Sequence, residues 1–140
     1  MGDSSLCRGL IEAAAKLVHA MVATQRPDGD WYAVVHRDWS GDESSTAAFM
    51  IAGFLRAAEL GVVDIDVVAD AVAAAERAMR SHLEDALLRG VSAAVWACTQ
   101  ESHYGHVARD FIVPWGQGPV ALALSALLGH RDGRRPTDER

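Results

Sequence analysis

The chain has 140 residues, half of them apolar and 23% charged, a balance that supports one domain with a buried core and excludes a disordered chain. A net charge of −6 and a pI near 5.4 argue against nucleic acid as a partner, and no apolar run approaches the roughly 18 residues of a membrane span. Cys7 and Cys98 are too few for a disulfide scaffold and lack zinc-ligand spacing, and the absence of Asn excludes N-glycosylation.

The first residues do not read as an address. Asp3 is acidic, and Arg8, Glu12 and Lys16 break up the apolar stretch that a secretory signal needs. Leu6 stands where myristoylation wants Ser or Thr, so a cytoplasmic protein with reduced thiols is expected. Leu6, Leu10, Ala13, Leu17 and Met21 recur at helical spacing and predict a helix over residues 5–24 with that face inward. Pro27-Asp28-Gly29-Asp30 is turn chemistry. Trp31-Tyr32-Ala33-Val34-Val35 predicts an extended segment, followed by a polar loop over residues 36–43.

Ser44 or Ser45 is the expected N-cap of a helix over Ser45–Leu60, closed by Gly61, with Asp42 and Glu43 set against its dipole. The uncharged interior of that helix predicts burial all round. An amphipathic helix follows from Asp64 to Leu88, with Ile65, Val68, Val72, Ala75 and Met79 inward and Asp66, Asp70, Glu76, Arg77 and Arg80 outward. Residues 91–98 read as a strand or a buried turn, and Phe111-Ile112-Val113-Pro114 as extended. Pro119 opens a last uncharged helix to Leu128. Residues 1–130 form one helical segment and 131–140 a charged, disordered tail. Wet-sided helices thus alternate with uncharged ones. This all-α pattern points to two concentric layers, as in an α/α toroid, with Ser45–Leu60 and Pro119–Leu128 the most buried and the slowest to exchange amide protons.

Three clusters carry candidate chemistry. Trp31, His36, Asp38, Trp39, Asp42 and Glu43 fall in one loop region; paired carboxylates serve as general acid and base, and flat aromatic faces stack on sugar rings. On residue type alone a structural role is the commoner outcome, with the tryptophans plugging the loop onto the core and the acids capping the helix. His103 and His106 have the spacing of metal ligands on one helical face, with Cys98 and Glu101 nearby, but Gly105 weakens such a helix and no third ligand sits at a recognised spacing, so a solvated loop is expected, with no metal and no cofactor. Trp115-Gly116-Gln117-Gly118 either cradles an anion at a helix N-terminus or makes a tight turn. Cys98, beside Trp96, reads as a buried, inert thiol.

Asp28-Gly29-Asp30-Trp31, then Asp42-Glu43-Ser44-Ser45-Thr46-Ala47-Ala48-Phe49-Met50, then Gly90-Val91-Ser92, then Gly116-Gln117-Gly118-Pro119 occur in an order that resembles the C-terminal part of the unsaturated uronyl hydrolases, glycoside hydrolase families 88 and 105. The resemblance spans residues 25–128. Glu43-Ser44-Ser45 matches the family pattern of an acid followed by Ser/Thr-Ser, while Thr46 and Ala47 replace its usual Gly and Thr. It implies a six-hairpin (α/α) toroid that hydrates the double bond of unsaturated glucuronyl or galacturonyl residues, with an oligosaccharide as partner. The family's catalytic aspartates lie upstream of the matched region, so no residue here inherits that role, and Asp42 is a catalytic candidate on residue type alone. Trp31, His36, Asp38, Trp39, Glu43, Ser44 and Trp115 are the expected substrate contacts. A complete toroid has about twelve helices, and this length holds about four to five. The expectation is a partial toroid, inactive alone, that needs the missing half of the ring; the alternative is a non-catalytic module that dimerises through its apolar helices.

Overall fold

The structure, a computed structural model, describes residues 4–93 and 100–133. The end of the segment read as strand or buried turn, with Trp96 and Cys98, and the tail beyond Gly133 lie outside the described residues. Four helices carry the fold: α1 (Ser4–Ala23), α2 (Ser44–Glu59), α3 (Ile65–Ser81) and α4 (Pro114–Gly133). Among the described residues, no helix is long and apolar enough to cross a membrane.

The central helix is α2, which packs against α3 on one side and α4 on the other, while α1 touches α2 and α3 more lightly. Ala47, Ala48, Ile51 and Phe54 of α2 meet Val68, Ala75 and Met79 of α3, all at most 2% exposed. The inward face of α3 is the one its periodicity predicts. Glu76, however, is partly buried, because it receives Arg80 from its own helix at 2.8 Å and Arg131 of α4 at 2.9 Å. Burial pushes the Glu76 carboxyl up, but the two arginines outweigh it and hold it below the usual range. Arg131 is therefore part of α4, and the charged tail expected from residue 131 is helical as far as Gly133.

Further expectations are corrected. Helix α1 buries Val18 and packs Ala15, Met21 and Val22 against the core, whereas Leu6, Leu10 and Leu17 are at least 62% exposed. The contacting stripe is centred on Val18 rather than Leu17, a rotation of about 100°. Uncharged composition also overstates burial. Phe49 of α2 is 48% exposed, and Leu122, Leu124 and Leu128 of α4 are 58%, 39% and 61% exposed. Helix α3 stops at Ser81, and residues 83–88 fold back as a hairpin, β1 (Leu83–Glu84) with β2 (Leu87–Leu88). Its two-residue turn places Asp85 and Ala86 at positive φ, without the Asn-Gly that would have advertised it. Finally, residues 31–35 make no strand; Tyr32 forms a single antiparallel bridge to Asp42, which brings the two ends of the polar loop together.

Helix α4 starts at Pro114, five residues before the expected Pro119. Pro114 is well suited to a first helical position, where no N–H is needed. Gly116 then lies inside the helix, and a Cβ there would sit 2.6 Å from Val91 Cγ2. The Gln117 amide pairs with both the N–H and the C=O of Leu88, at 3.0 and 3.1 Å. The Gly116-Gln117 pair is thus a seam between α4 and β2 rather than an anion-binding turn.

Candidate functional site: a cleft at the start of helix α2

Trp31 fixes the geometry of the loops around the N-terminus of α2. Its ring is fully buried, meets Phe54 edge-on at 6.4 Å, and donates its Nε1–H to the Met21 carbonyl at 3.0 Å. The Trp31 carbonyl accepts the Glu43 N–H, and the Ser44 hydroxyl donates to the Arg89 carbonyl. Glu43 is the residue that precedes the helix, so it, not Ser44 or Ser45, occupies the N-cap position. Its carboxylate accepts the Ser45 hydroxyl at 2.6 Å and the Ser92 N–H at 3.0 Å. The indole of Trp115 donates to the Ser92 carbonyl at 3.0 Å and leaves its ring half-exposed. Glu43 and Trp115 are thereby held on opposite flanks of Ser92.

Between them opens a cleft of about 340 Å³, lined also by Thr46, Phe49, Tyr104 and Arg109. Its size falls within the range of small-molecule sites. One carboxylate, a cation, hydroxyls and aromatic faces give it the means to hydrogen-bond and stack on a polar ring.

The model of Glycosyl Hydrolase Family 88 matches residues 6–129. The chain belongs to this family. Two solved structures share its fold. One is a possible member of the GH105 family from Salmonella enterica subsp. enterica serovar Paratyphi A, with TM-score 0.75 and 23% identity over 81% of this chain and 30% of that one. The other is a possible member of the GH105 family from Klebsiella pneumoniae subsp. pneumoniae, with TM-score 0.85 and 20% identity over 94% of this chain and 34% of that one. The chain therefore spans about a third of the length of the solved structures it matches. No curated protein matches it. The fold is a partial (α/α) toroid of glycoside hydrolase family 88/105 type.

In this family 88 chain the expected contact residues separate into three groups. Glu43 and Trp115 line the cleft, whereas Ser44 is wholly buried and outside its lining. Trp31 is inside the core and has no face to offer a ligand. His36, Asp38 and Trp39 stand apart from the cleft lining. His36 lies 3.9 Å from Glu101, which also accepts Arg37 Nε–H at 2.7 Å. Trp39 is 44% exposed and covers Gly105, where an added Cβ would sit 3.0 Å from the Trp39 carbonyl oxygen. Asp42 turns away from Glu43 and pairs with Arg26, which also pairs with Asp28 and stacks over Tyr32 at 4.3 Å. Its carboxylate is engaged in a surface ion cluster. His103 and His106 are exposed on a short 3-10 helix, Glu101–His106.

The sequence reading missed Tyr104, Arg109, Thr46 and Phe49 as cleft residues. The one available signal was Tyr104, an aromatic in an otherwise polar segment. It also missed a dyad: His82 Nε2 lies 2.6 Å from Oδ2 of Asp30, whose side chain is 4% exposed. This pair ties the turn before Trp31 to the end of α3. The hydrogen bond to Asp30 raises the His82 pKa above its usual value, partial burial opposes the rise, and Asp42 and Asp28 add to it.

A pH dependence follows. Because the folded-state pKa of His82 is raised, the dyad's contribution is fully present below the unfolded value of about 6.5 and is lost as pH rises through the folded value. Thermal unfolding between about pH 6 and pH 9 should show a falling Tm, and Asp30→Asn should flatten that fall. An equally steep fall in the Asp30→Asn variant would remove the dyad as its cause.

Proposed function

We propose that this chain is the part of a glycoside hydrolase whose loops wall one side of a sugar cleft, that its substrates are unsaturated uronyl oligosaccharides, and that it does not turn them over by itself. The observation that carries the reading is the half-exposed Trp115 ring facing Glu43 across the cleft, in a chain of family 88. Stacking on the ring and hydrogen bonding to the carboxylate suit a pyranose, which has apolar faces and a rim of hydroxyls. Hydration of the double bond requires one group to donate a proton and another to orient water. Asp42 is paired with Arg26, and Glu43 already accepts two hydrogen bonds, so neither is poised for proton transfer.

The test is incubation with unsaturated glucuronyl and galacturonyl disaccharides, followed by loss of the double-bond absorbance and, separately, by calorimetric titration. The expected result is binding without turnover, weakened at least about tenfold in Trp115→Ala. Turnover that disappears in Asp42→Asn would overturn the inactivity and make Asp42 catalytic. Unchanged binding in the Trp115→Ala variant would remove the cleft as the sugar site.

A second reading has its own observation. Leu6, Leu10 and Leu17 on α1 and Leu122 and Leu128 on α4 are at least 58% exposed, which suits a helical module that associates through these faces. Sedimentation equilibrium checks it: a species of about 30 kDa, reduced to the 15.0 kDa monomer by Leu10→Asp with Leu17→Asp, is its expected result.

A further inference from the structure

We propose that His82 is a positioning residue for the cleft: by holding Asp30 it aligns the two stretches of backbone that grip Glu43 and Trp115, and protonation of its ring tightens the site. The proposal rests on the cleft being the ligand site, as read above. His82 is the C-cap of α3 and stands at the base of the hairpin. The negative end of the helix dipole and the buried Asp30 carboxylate both favour a cation on its ring. Asp30 is engaged through both oxygens: Oδ2 accepts the His82 Nε2–H at 2.6 Å, and Oδ1 accepts the Trp31 N–H at 3.0 Å.

Two paths lead from this bridge to the cleft. Through the loop, the Trp31 carbonyl accepts the Glu43 N–H at 3.2 Å. Through the hairpin, the His82 carbonyl accepts the Arg89 N–H at 3.0 Å, and the carbonyls of Arg89 and Gly90 accept the hydroxyl and the N–H of Ser44. Ser92 then donates to Glu43 and accepts from the Trp115 indole. Gly90 brings the imidazole next to the start of α2: at its φ of +76° a Cβ would lie 3.4 Å from Ser44 Oγ and 3.9 Å from His82 Nδ1. A shift of the ring is therefore felt at the first residue of α2 and, one hydrogen bond further, at the cleft carboxylate. Asp30 acts on the ring most strongly, and Asp42 and Asp28 add to it. Arg26 pairs with the last two, Arg89 of the hairpin pairs with Glu84 at 3.2 Å, and Arg80 of α3 is taken up by Glu76. Each of these arginines has its own carboxylate, and Asp30 is left to His82. A charge-assisted bond is about twice as strong as a neutral one, so loss of the ring proton slackens the bridge without removing it.

Two measurements on the folded chain test this. The first needs no ligand. In isotope-labelled protein the nuclear magnetic resonance signal of the Trp115 indole N–H should move with pH along the same curve as the His82 ring protons, with a midpoint above about 6.5. In His82→Gln, which keeps a neutral donor, that signal should stay still. The second is calorimetric titration with an unsaturated glucuronyl disaccharide between about pH 6 and pH 9. The raised pKa sets the sign: affinity should be highest at the acid end and fall at least about threefold as pH rises through the folded value, and H82Q should remove the fall. A merely structural His82 would change Tm with pH and leave both readouts of the folded chain flat. A Trp115 signal that does not follow His82, an affinity that is flat with pH in the unmodified chain, or a fall that persists in H82Q overturns the role of His82 and leaves the sugar cleft standing. If H82Q does not fold, the Trp115 titration of the unmodified chain decides. Absence of sugar binding at every pH overturns the carbohydrate reading, and the Trp115 titration still decides whether His82 positions the cleft.

Discussion

Trp31→Ala should lower the unfolding free energy by about 3–5 kcal/mol, the cost of deleting a large aromatic from a site that cannot collapse. Three observations place it at the top of that range. The ring is fully buried, its edge contact with Phe54 is lost, and the Met21 carbonyl loses the indole donor. A domain of this size is stable by about 5–15 kcal/mol, so the variant should be partly unfolded at physiological temperature. Urea unfolding monitored by circular dichroism measures the loss. Trp31→Phe retains most of the volume and should cost markedly less. Equal costs for Ala and Phe would show that the hydrogen bond, not the packing, anchors the loop.

Gly29→Ala should be nearly as damaging, although it adds only a methyl group. Gly29 has φ +93°, and a Cβ there would lie 2.2 Å from the Ala74 carbonyl oxygen of α3. The obstacle is backbone, which cannot rotate aside. The Gly29 carbonyl also accepts the Gln25 side chain, which bridges to the Ala71 carbonyl at 3.0 Å. Strain and displacement together should cost about 3 kcal/mol or more. Gly53 is the control: it is interior to α2 and nothing lies within 4 Å of its missing Cβ. Gly53→Ala should instead gain about 0.5–1 kcal/mol from helix propensity. If both substitutions were neutral, the close approach of the 25–30 turn to α3 would be wrong.

These two glycines illustrate which parts of the fold could be read in advance. Helix α3 was legible because its charged and apolar residues alternate at the helical period. The start of α2 was legible because Glu43, Ser44 and Ser45 precede an apolar run. Glu43 was legible as a site candidate from residue type and from the family pattern, and Trp115 from residue type alone. The Asp30–His82 dyad was not, because nothing local distinguishes two residues 52 apart whose meeting depends on how a turn docks on the end of a helix. The same limit hid Arg109, whose partners Ser40 and Tyr104 come from different loops. Uncharged helices posed a different problem. Composition reports that a face tolerates burial and says nothing of which neighbour covers it, so α4 looked enclosed although Leu122 and Leu128 are open. On α1, Leu17 and Val18 are adjacent and both apolar, and only packing decides which of them faces the core.

The unequal exposure of the tryptophans gives the molecule built-in optical reporters. Trp31, dry and hydrogen-bonded to a backbone carbonyl, should emit at short wavelength and resist collisional quenchers, whereas Trp39 and Trp115 are 44% and 53% exposed and open to them. In a Trp96→Phe background, which leaves these three indoles, acrylamide therefore separates two signals without any label. The shielded fraction follows docking of the 25–32 turn onto the core, and the accessible fraction includes Trp115 at the cleft mouth, where a stacked ring would screen the indole. Loop undocking and ligand occupancy become distinguishable in one emission spectrum, because the indoles that report them sit on opposite sides of the protein surface boundary.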